Sequence, residues 1–204
     1  MNSKVIETTV YYIALMTVVC VPPAIFMWFL IHPFAFFWRR LGAAATYLAV
    51  IPMLVLFGAV LYYFRGPLLS IHFEPRLSLV VIAVFLLAIG IYLGILRMQH
   101  LTISMLIGIP EISKVGQPGK LLTEGIYSYV RNPRYIEIGF GLAGIALIVN
   151  YLAVYILLIL YIPVIYLVVI LEERELRKRF GAAYDRYCRG VPRFIPRFRR
   201  RSQA

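Results

Sequence analysis

Pro133-Arg-Tyr-Ile-Glu-Ile-Gly-Phe-Gly-Leu-Ala-Gly-Ile-Ala-Leu-Ile-Val149, then Asn150-Tyr151, then Leu152-Ala-Val-Tyr-Ile-Leu-Leu-Ile-Leu-Tyr-Ile-Pro-Val-Ile-Tyr-Leu-Val-Val-Ile-Leu171 is the stretch that decides the fold. Its two apolar halves are joined by a short polar turn. A helix rises about 1.5 Å per residue and a bilayer core is about 30 Å thick, so roughly 20 residues span it, with 17 at the short end. The stretch therefore reads as a hairpin that enters a membrane and returns. Its polar flanks, Gly125–Tyr135 and Glu172–Pro196, are then expected on the same side and at the same depth, as parts of one site.

Working outward, three further apolar runs are long enough to cross: Val10–Ile31, Gly42–Phe64 and Leu77–Leu96. The chain is 62% hydrophobic and only 15% charged, against about 45–50% and about 25% in a water-soluble domain. The expected fold is all-α: a polytopic membrane protein with about five transmembrane helices and a cytoplasmic C-terminal amphipathic helix. It reads as a single integral membrane domain, 1–204. Residues 1–100 hold three helices, 101–135 a polar loop, 136–171 the hairpin and 172–204 a basic tail. The first run carries Pro22-Pro23 and lacks a small-residue cleavage site, so it reads as a helix and not as a signal peptide.

Charge orients the bundle. Of the 21 Lys and Arg residues, only Lys4, Arg65 and Arg76 fall on the side of the N-terminus; the rest flank the other ends of the helices. Positive residues favour the cytoplasm, which predicts an N-terminus outside and a C-terminus inside. The net charge of +12 then reflects a basic surface beside anionic membrane lipids, and no nucleic-acid partner is expected. His32, His72 and His100 are scattered, and Cys20 lies far from Cys188, so neither a metal site nor a disulfide is expected.

Several local features carry more than one reading. Asn132-Pro133 is a helix start, with Asn132 as N-cap and Pro133 as first helical residue. It can equally be an anion-accepting terminus or only a flank. Glu137, an acid just inside a membrane helix, is a functional candidate by its cost, or a partner for Arg134 one turn away. Gly139-x-Gly141-x-x-Gly144 has the letters of a dinucleotide fingerprint but no strand before it. Those glycines, like Gly90-x-x-x-Gly94, read as helix-packing positions. Leu101–Ile109 is apolar and too short to span, which suits a segment that lies along the interface or packs under the bundle. Past Glu172-Glu173, a continuing helix would align Leu176, Phe180, Tyr184 and Tyr187 on one face.

Taken together, Gly125-x-Tyr127, Arg131-Asn132-Pro133-Arg134-Tyr135, the hairpin, Glu172-Glu173-x-x-Leu176, Phe180-Gly181-x-x-Tyr184 and Val191-Pro192 resemble the isoprenylcysteine carboxyl methyltransferases and their phospholipid-methyltransferase relatives. The resemblance covers residues from Leu121 to Pro196. It implies a membrane enzyme that transfers a methyl group from S-adenosylmethionine to a lipophilic acceptor, through a cytoplasmic cofactor pocket without a Rossmann fold. The leading expectation is carboxyl O-methylation of an isoprenylcysteine-like substrate. The alternatives are a phospholipid, amine or thiol methyltransferase, or a non-catalytic protein of the same fold. Carried over by position, the resemblance assigns cofactor contacts to Gly119, Lys120, Leu121, Leu122, Tyr127, Asn132, Pro133, Arg134, Tyr135 and Glu172. This chain departs from the pattern in having Asn132 where the family has histidine, Glu137 where glycine is usual, and Val168 where a substrate-binding arginine is expected. Arg131 and Arg193 are the expected substitutes for that acceptor anchor.

Overall fold

The computed structural model describes residues 3–100 and 121–196. These residues form helices α1 (Ser3–Ile31), α2 (Ala35–Leu41), α3 (Ala43–Tyr63), a single turn α4 (Arg65–Leu68), α5 (Leu77–Met98), a 3-10 turn at Gly125–Ser128, α6 (Pro133–Val149), α7 (Leu152–Phe180) and α8 (Ala182–Gly190). Among the described residues no strand is formed beyond one isolated bridge between His72 and Tyr151. Four helices are long and apolar enough to cross a membrane: Lys4–Ile31, Ala43–Tyr63, Leu77–Met98 and Leu152–Phe180. The fifth expected span is α6, with 17 residues; it is about 25 Å long at the usual helical rise, shorter than a typical hydrocarbon core.

The bundle is held by close packing where side chains are small. Gly90 and Gly94 of α5 are buried and face α6, the neighbour against which α5 packs most extensively. A Cβ on Gly90 would lie 3.3 Å from the Glu137 carbonyl, and one on Gly144 only 2.6 Å from Cγ of Leu87. Glycine lets the two helix axes approach. The apolar core lies among α1, α6 and α7 and includes Ala14, Leu15, Val18, Leu142, Ala146, Val154 and Val168. The outer faces stay apolar: Leu48, Leu56, Val81, Phe85, Ile91, Ile159 and Ile162 are all exposed. Surfaces of this kind belong in lipid.

The hairpin turn sets the far end. Asn150 adopts φ 54° at the end of α6, a left-handed conformation that asparagine tolerates. Its side-chain amide donates to the Glu74 carbonyl (2.9 Å) and its Oδ1 accepts from Tyr155 (2.8 Å). Backbone bonds from Phe73 to Asn150 and from Leu152 to Ile71 lay the loop before α5 across the turn. At the opposite end the polar flanks of α5, α6 and α7 converge.

One expected element is different. The helix after Glu172-Glu173 does not continue through Tyr187. It stops at Gly181, whose φ 53° and ψ −132° require glycine. The single stripe from Leu176 to Tyr187 is therefore broken. The kink turns α8 inward, so that Tyr184 is buried while Asp185, Arg186 and Arg189 are exposed. The tail helix is amphipathic, as expected, but it is a separate helix.

Candidate functional site

The first polar stretch begins with a turn that only glycine permits. Gly125 has φ +59°, and a Cβ there would sit 1.9 Å from Nε2 of His100. Ser128 Oγ closes the turn on the Gly125 carbonyl at 2.7 Å. The turn presents Tyr127, whose carbonyl accepts from the Tyr187 hydroxyl of α8 at 2.6 Å. Burial pushes the Tyr127 hydroxyl up to about 12, with Arg97 and Arg134 pulling it down and Glu172 and Glu137 pushing it up. The hydroxyl thus stays protonated as a donor in the field of charges from α5, α6 and α7.

The expected meeting of the two stretches is present. Tyr135, in the first turn of α6, donates its hydroxyl to Oε2 of Glu172 at 2.7 Å. Tyr135 is buried, and its carbonyl accepts from Tyr161 at 2.6 Å. The other oxygen of Glu172, Oε1, has no hydrogen bond among the described residues. Arg134 lies with its guanidinium 4.4 Å from the Trp28 ring centre, so it turns toward α1 and not toward Glu137.

Glu137 instead forms a two-point ion pair with Arg97, at 2.6 Å to Nε and 3.2 Å to Nη2. Arg97 is buried, and its third nitrogen, Nη1, has no hydrogen-bond partner among the described residues. The pair sits beside a groove of about 620 Å³ that opens between Ile91, Gly94, Ile95 and Met98. The Arg134 partnership allowed by i, i+3 spacing is not made; a residue 40 positions earlier takes its place.

Glu173 is the residue that sequence reasoning missed. It is fully enclosed. Its Oε1 accepts from Arg131 Nη2 at 2.8 Å and from Arg193 Nε at 2.9 Å, and its Oε2 accepts from Arg193 Nη2 at 2.8 Å. Arg131 Nη1 also donates to the carbonyls of Cys188 (3.0 Å) and Val191 (2.7 Å). The backbone N–H groups of Arg131 and Asn132 donate to the carbonyls of Pro192 and Arg193. The segment after α8 is thereby stitched to the start of α6. The signal was the doubling itself: adjacent helical residues point about 100° apart, so the second glutamate has its own partners.

The other expected residues fall as follows. Asn132 occupies the N-cap position, but its side chain does not cap; Nδ2 donates to the Arg193 carbonyl at 3.3 Å. Pro133 is the buried first residue of α6. Leu121 and Leu122 are half-buried on the approach to the turn. Gly119, Lys120 and Leu101–Ile109 lie outside the described residues. Val168 is fully buried in the apolar core. Arg131 and Arg193 are both bound to Glu173, so an acceptor carboxylate at either would have to share it. Among the described residues no group of three His, Cys, Asp or Glu could hold a metal ion.

A model of the family described as phospholipid methyltransferase matches residues 78–183, just over half of the chain. No curated protein and no solved structure is detectably similar. The chain belongs to the phospholipid methyltransferase family and is a membrane methyltransferase.

Proposed function

We propose that this family member takes its methyl group from S-adenosylmethionine at the basic end of the bundle and passes it to a lipophilic acceptor arriving from the bilayer. The observation that carries the reading is the Tyr135–Glu172 hydrogen bond, which joins two motifs 37 residues apart through a carboxylate with one oxygen left over. The residues fit the cofactor. Glu172 Oε1 is an acceptor for its amino group or ribose hydroxyls, Tyr127 offers a ring and a protonated hydroxyl, and Asn132, Pro133 and Arg134 bring the start of α6 alongside. Leu121 and Leu122 continue this site on the loop side; Gly119 and Lys120, which the family resemblance adds to it, lie outside the described residues. When bound, the cofactor supplies a sulfonium methyl that is already activated.

The protein's own part is then modest. Tyr135 fixes the Glu172 carboxylate, and the stitched segment from Val191 to Arg193 closes the end of the bundle against water. Positioning of two reactants can contribute about 7–11 kcal/mol without any acid or base, and exclusion of water strengthens the charges that hold them. A carboxylate acceptor needs no proton removed; an amine or thiol must arrive deprotonated.

The acceptor's route is the groove beside Arg97 and Glu137, whose apolar lining opens toward the lipid-facing side of α5. Arg97 Nη1, buried and without a hydrogen-bond partner among the described residues, suits an anionic acceptor end and takes over the role that Val168 leaves vacant. Arg131 and Arg193, engaged with Glu173, are better suited to closing the site. The leading acceptor is an isoprenylcysteine-like carboxylate; the second is a phospholipid amine. The charge distribution supports an N-terminus outside and the site in the cytoplasm.

Calorimetry of the purified chain with S-adenosylmethionine tests the donor, and methyl transfer to a farnesylated cysteine analogue and to phosphatidylethanolamine, run in parallel, tests the acceptor. Absence of cofactor binding would reject S-adenosylmethionine as the donor and the donor site with it. Transfer to the amine alone would replace the leading acceptor with the second.

A further inference from the structure

A second cavity, of about 570 Å³, lies at the same end of the bundle but on the other side of α7, between that helix and the α1–α2 corner. On the α7 side Leu171, Arg174, Glu175 and Lys178 form one helical stripe, at spacings of three, one and three. Glu175 is neutralised by a direct ion pair with Arg39 of α2. Arg174 and Lys178 are exposed and have no ion-pair partner among the described residues. The cavity therefore carries a net excess of positive charge.

The corner supplies the unexplained group. His32 lines the cavity and is only 5% exposed. Its ring stacks on Trp28, with centroids 5.2 Å apart and planes 17° from parallel. Yet among the described residues neither Nδ1 nor Nε2 has a hydrogen-bond partner. Buried polar atoms are almost always satisfied by protein or by something bound. A nitrogen donor enclosed behind two cations calls for an anion with several acceptor oxygens.

The surroundings say what carries that anion. Phe36 lines the cavity, and Phe34, Phe36 and Phe37 of the corner are all exposed. The helix ends here, at the depth where aromatic residues meet headgroups. We propose that this cavity binds the phosphate of an anionic membrane lipid, with Arg174, Lys178 and His32 on the phosphate oxygens and the lipid's glycerol end against Phe36 and Leu171. The inference is independent of the acceptor reading: none of His32, Arg174 and Lys178 belongs to the proposed donor or acceptor site.

The test uses the full-length protein in detergent, with phosphatidylglycerol, phosphatidylcholine and inorganic phosphate as separate probes. Native mass spectrometry reads the retained lipid and thermal unfolding reads stabilisation. Phosphatidylglycerol is expected to be retained and to raise the unfolding temperature, with little effect from the other two. The Arg174→Ala/Lys178→Ala double variant, which loses two charge-assisted contacts, should weaken retention by roughly tenfold or more. An Arg186→Ala/Arg189→Ala control on exposed α8 should retain lipid as the parent does. His32→Phe, which keeps the stack on Trp28, should weaken retention less than the double variant. Equal loss in the control would overturn the site in favour of diffuse charge. Stabilisation by inorganic phosphate as strong as by the lipid would overturn the lipid assignment. Unchanged retention in both the double variant and His32→Phe would overturn the proposal outright.

Discussion

The two ends of the α6–α7 hairpin are closed in different ways. At the far end, one left-handed asparagine and a handful of neutral hydrogen bonds to residues 71–74 suffice. At the basic end the same two helices carry Glu137, Glu172, Glu173 and Glu175, and the guanidinium groups of Arg39, Arg97, Arg131 and Arg193 pair with three of those acids. The far end shows how little is needed merely to join two helices in a bilayer. The excess at the basic end divides into charges that answer each other and one carboxylate, Glu172, that among the described residues receives only a tyrosine hydroxyl. Desolvating charge is costly unless it is paired. The paired acids therefore build the end of the bundle, and Glu172 is the acid on which the proposed donor site rests.

The sharpest way to break this contrast is Glu173→Gln. It leaves Arg131 and Arg193 without their shared carboxylate, and removing one partner of a buried ion pair costs about 3–5 kcal/mol. We expect a marked fall in thermal unfolding temperature in detergent; an unchanged temperature would mean the cluster does not hold the end together. Glu172→Ala should do the reverse. Loss of a charged hydrogen bond, about 1.5–3 kcal/mol, lowers S-adenosylmethionine affinity by roughly 10- to 150-fold in calorimetry, with a far smaller change in unfolding temperature than in Glu173→Gln. Comparable destabilisation by both variants would erase the distinction between the two glutamates.

Between the two ends, Gly144→Val would force α5 and α6 apart at Leu87 and at the Ala83 carbonyl. Overpacking of this kind costs about 1–3 kcal/mol, which should register in the same unfolding assay. The smallest effect is expected at the far turn. Asn150→Gly keeps the left-handed conformation but loses the bonds to Glu74 and Tyr155, for about 1 kcal/mol. Methyl transfer should be unaffected; a loss of activity there would show that the two ends are coupled.

Hydropathy marked the helices well because a bilayer imposes length and apolarity together. The limits of α6 and the start of α7 could be read at Pro133, Val149 and Leu152, and the glycines of α5 and α6 announced their contact. That the two flanks meet was legible once both were placed at one end; the particular bond from Tyr135 to Glu172 was not. What escaped was decided by partners distant in sequence. Spacing offered Arg134 to Glu137, whereas packing of α5 on α6 brought Arg97. Arg131 and Arg193 read as open anchors because nothing local to either shows Glu173 reaching both. At Gly181 the helical pattern continued in the side chains while the backbone left the helix. Such a break depends on φ and is invisible to a pattern of hydrophobicity.

The stitch between the start of α6 and the segment after α8 also sets an order of assembly. Arg131 is made 60 residues ahead of Val191, whose carbonyl it will hold, and chains are synthesised from the N-terminus. While the hairpin is being threaded into the bilayer, Arg131 still lacks the Val191 carbonyl and the Arg193 side chain that shares Glu173 with it. Threading can finish before the basic end closes, so the proposed donor site is completed only after the helices that carry it are in place.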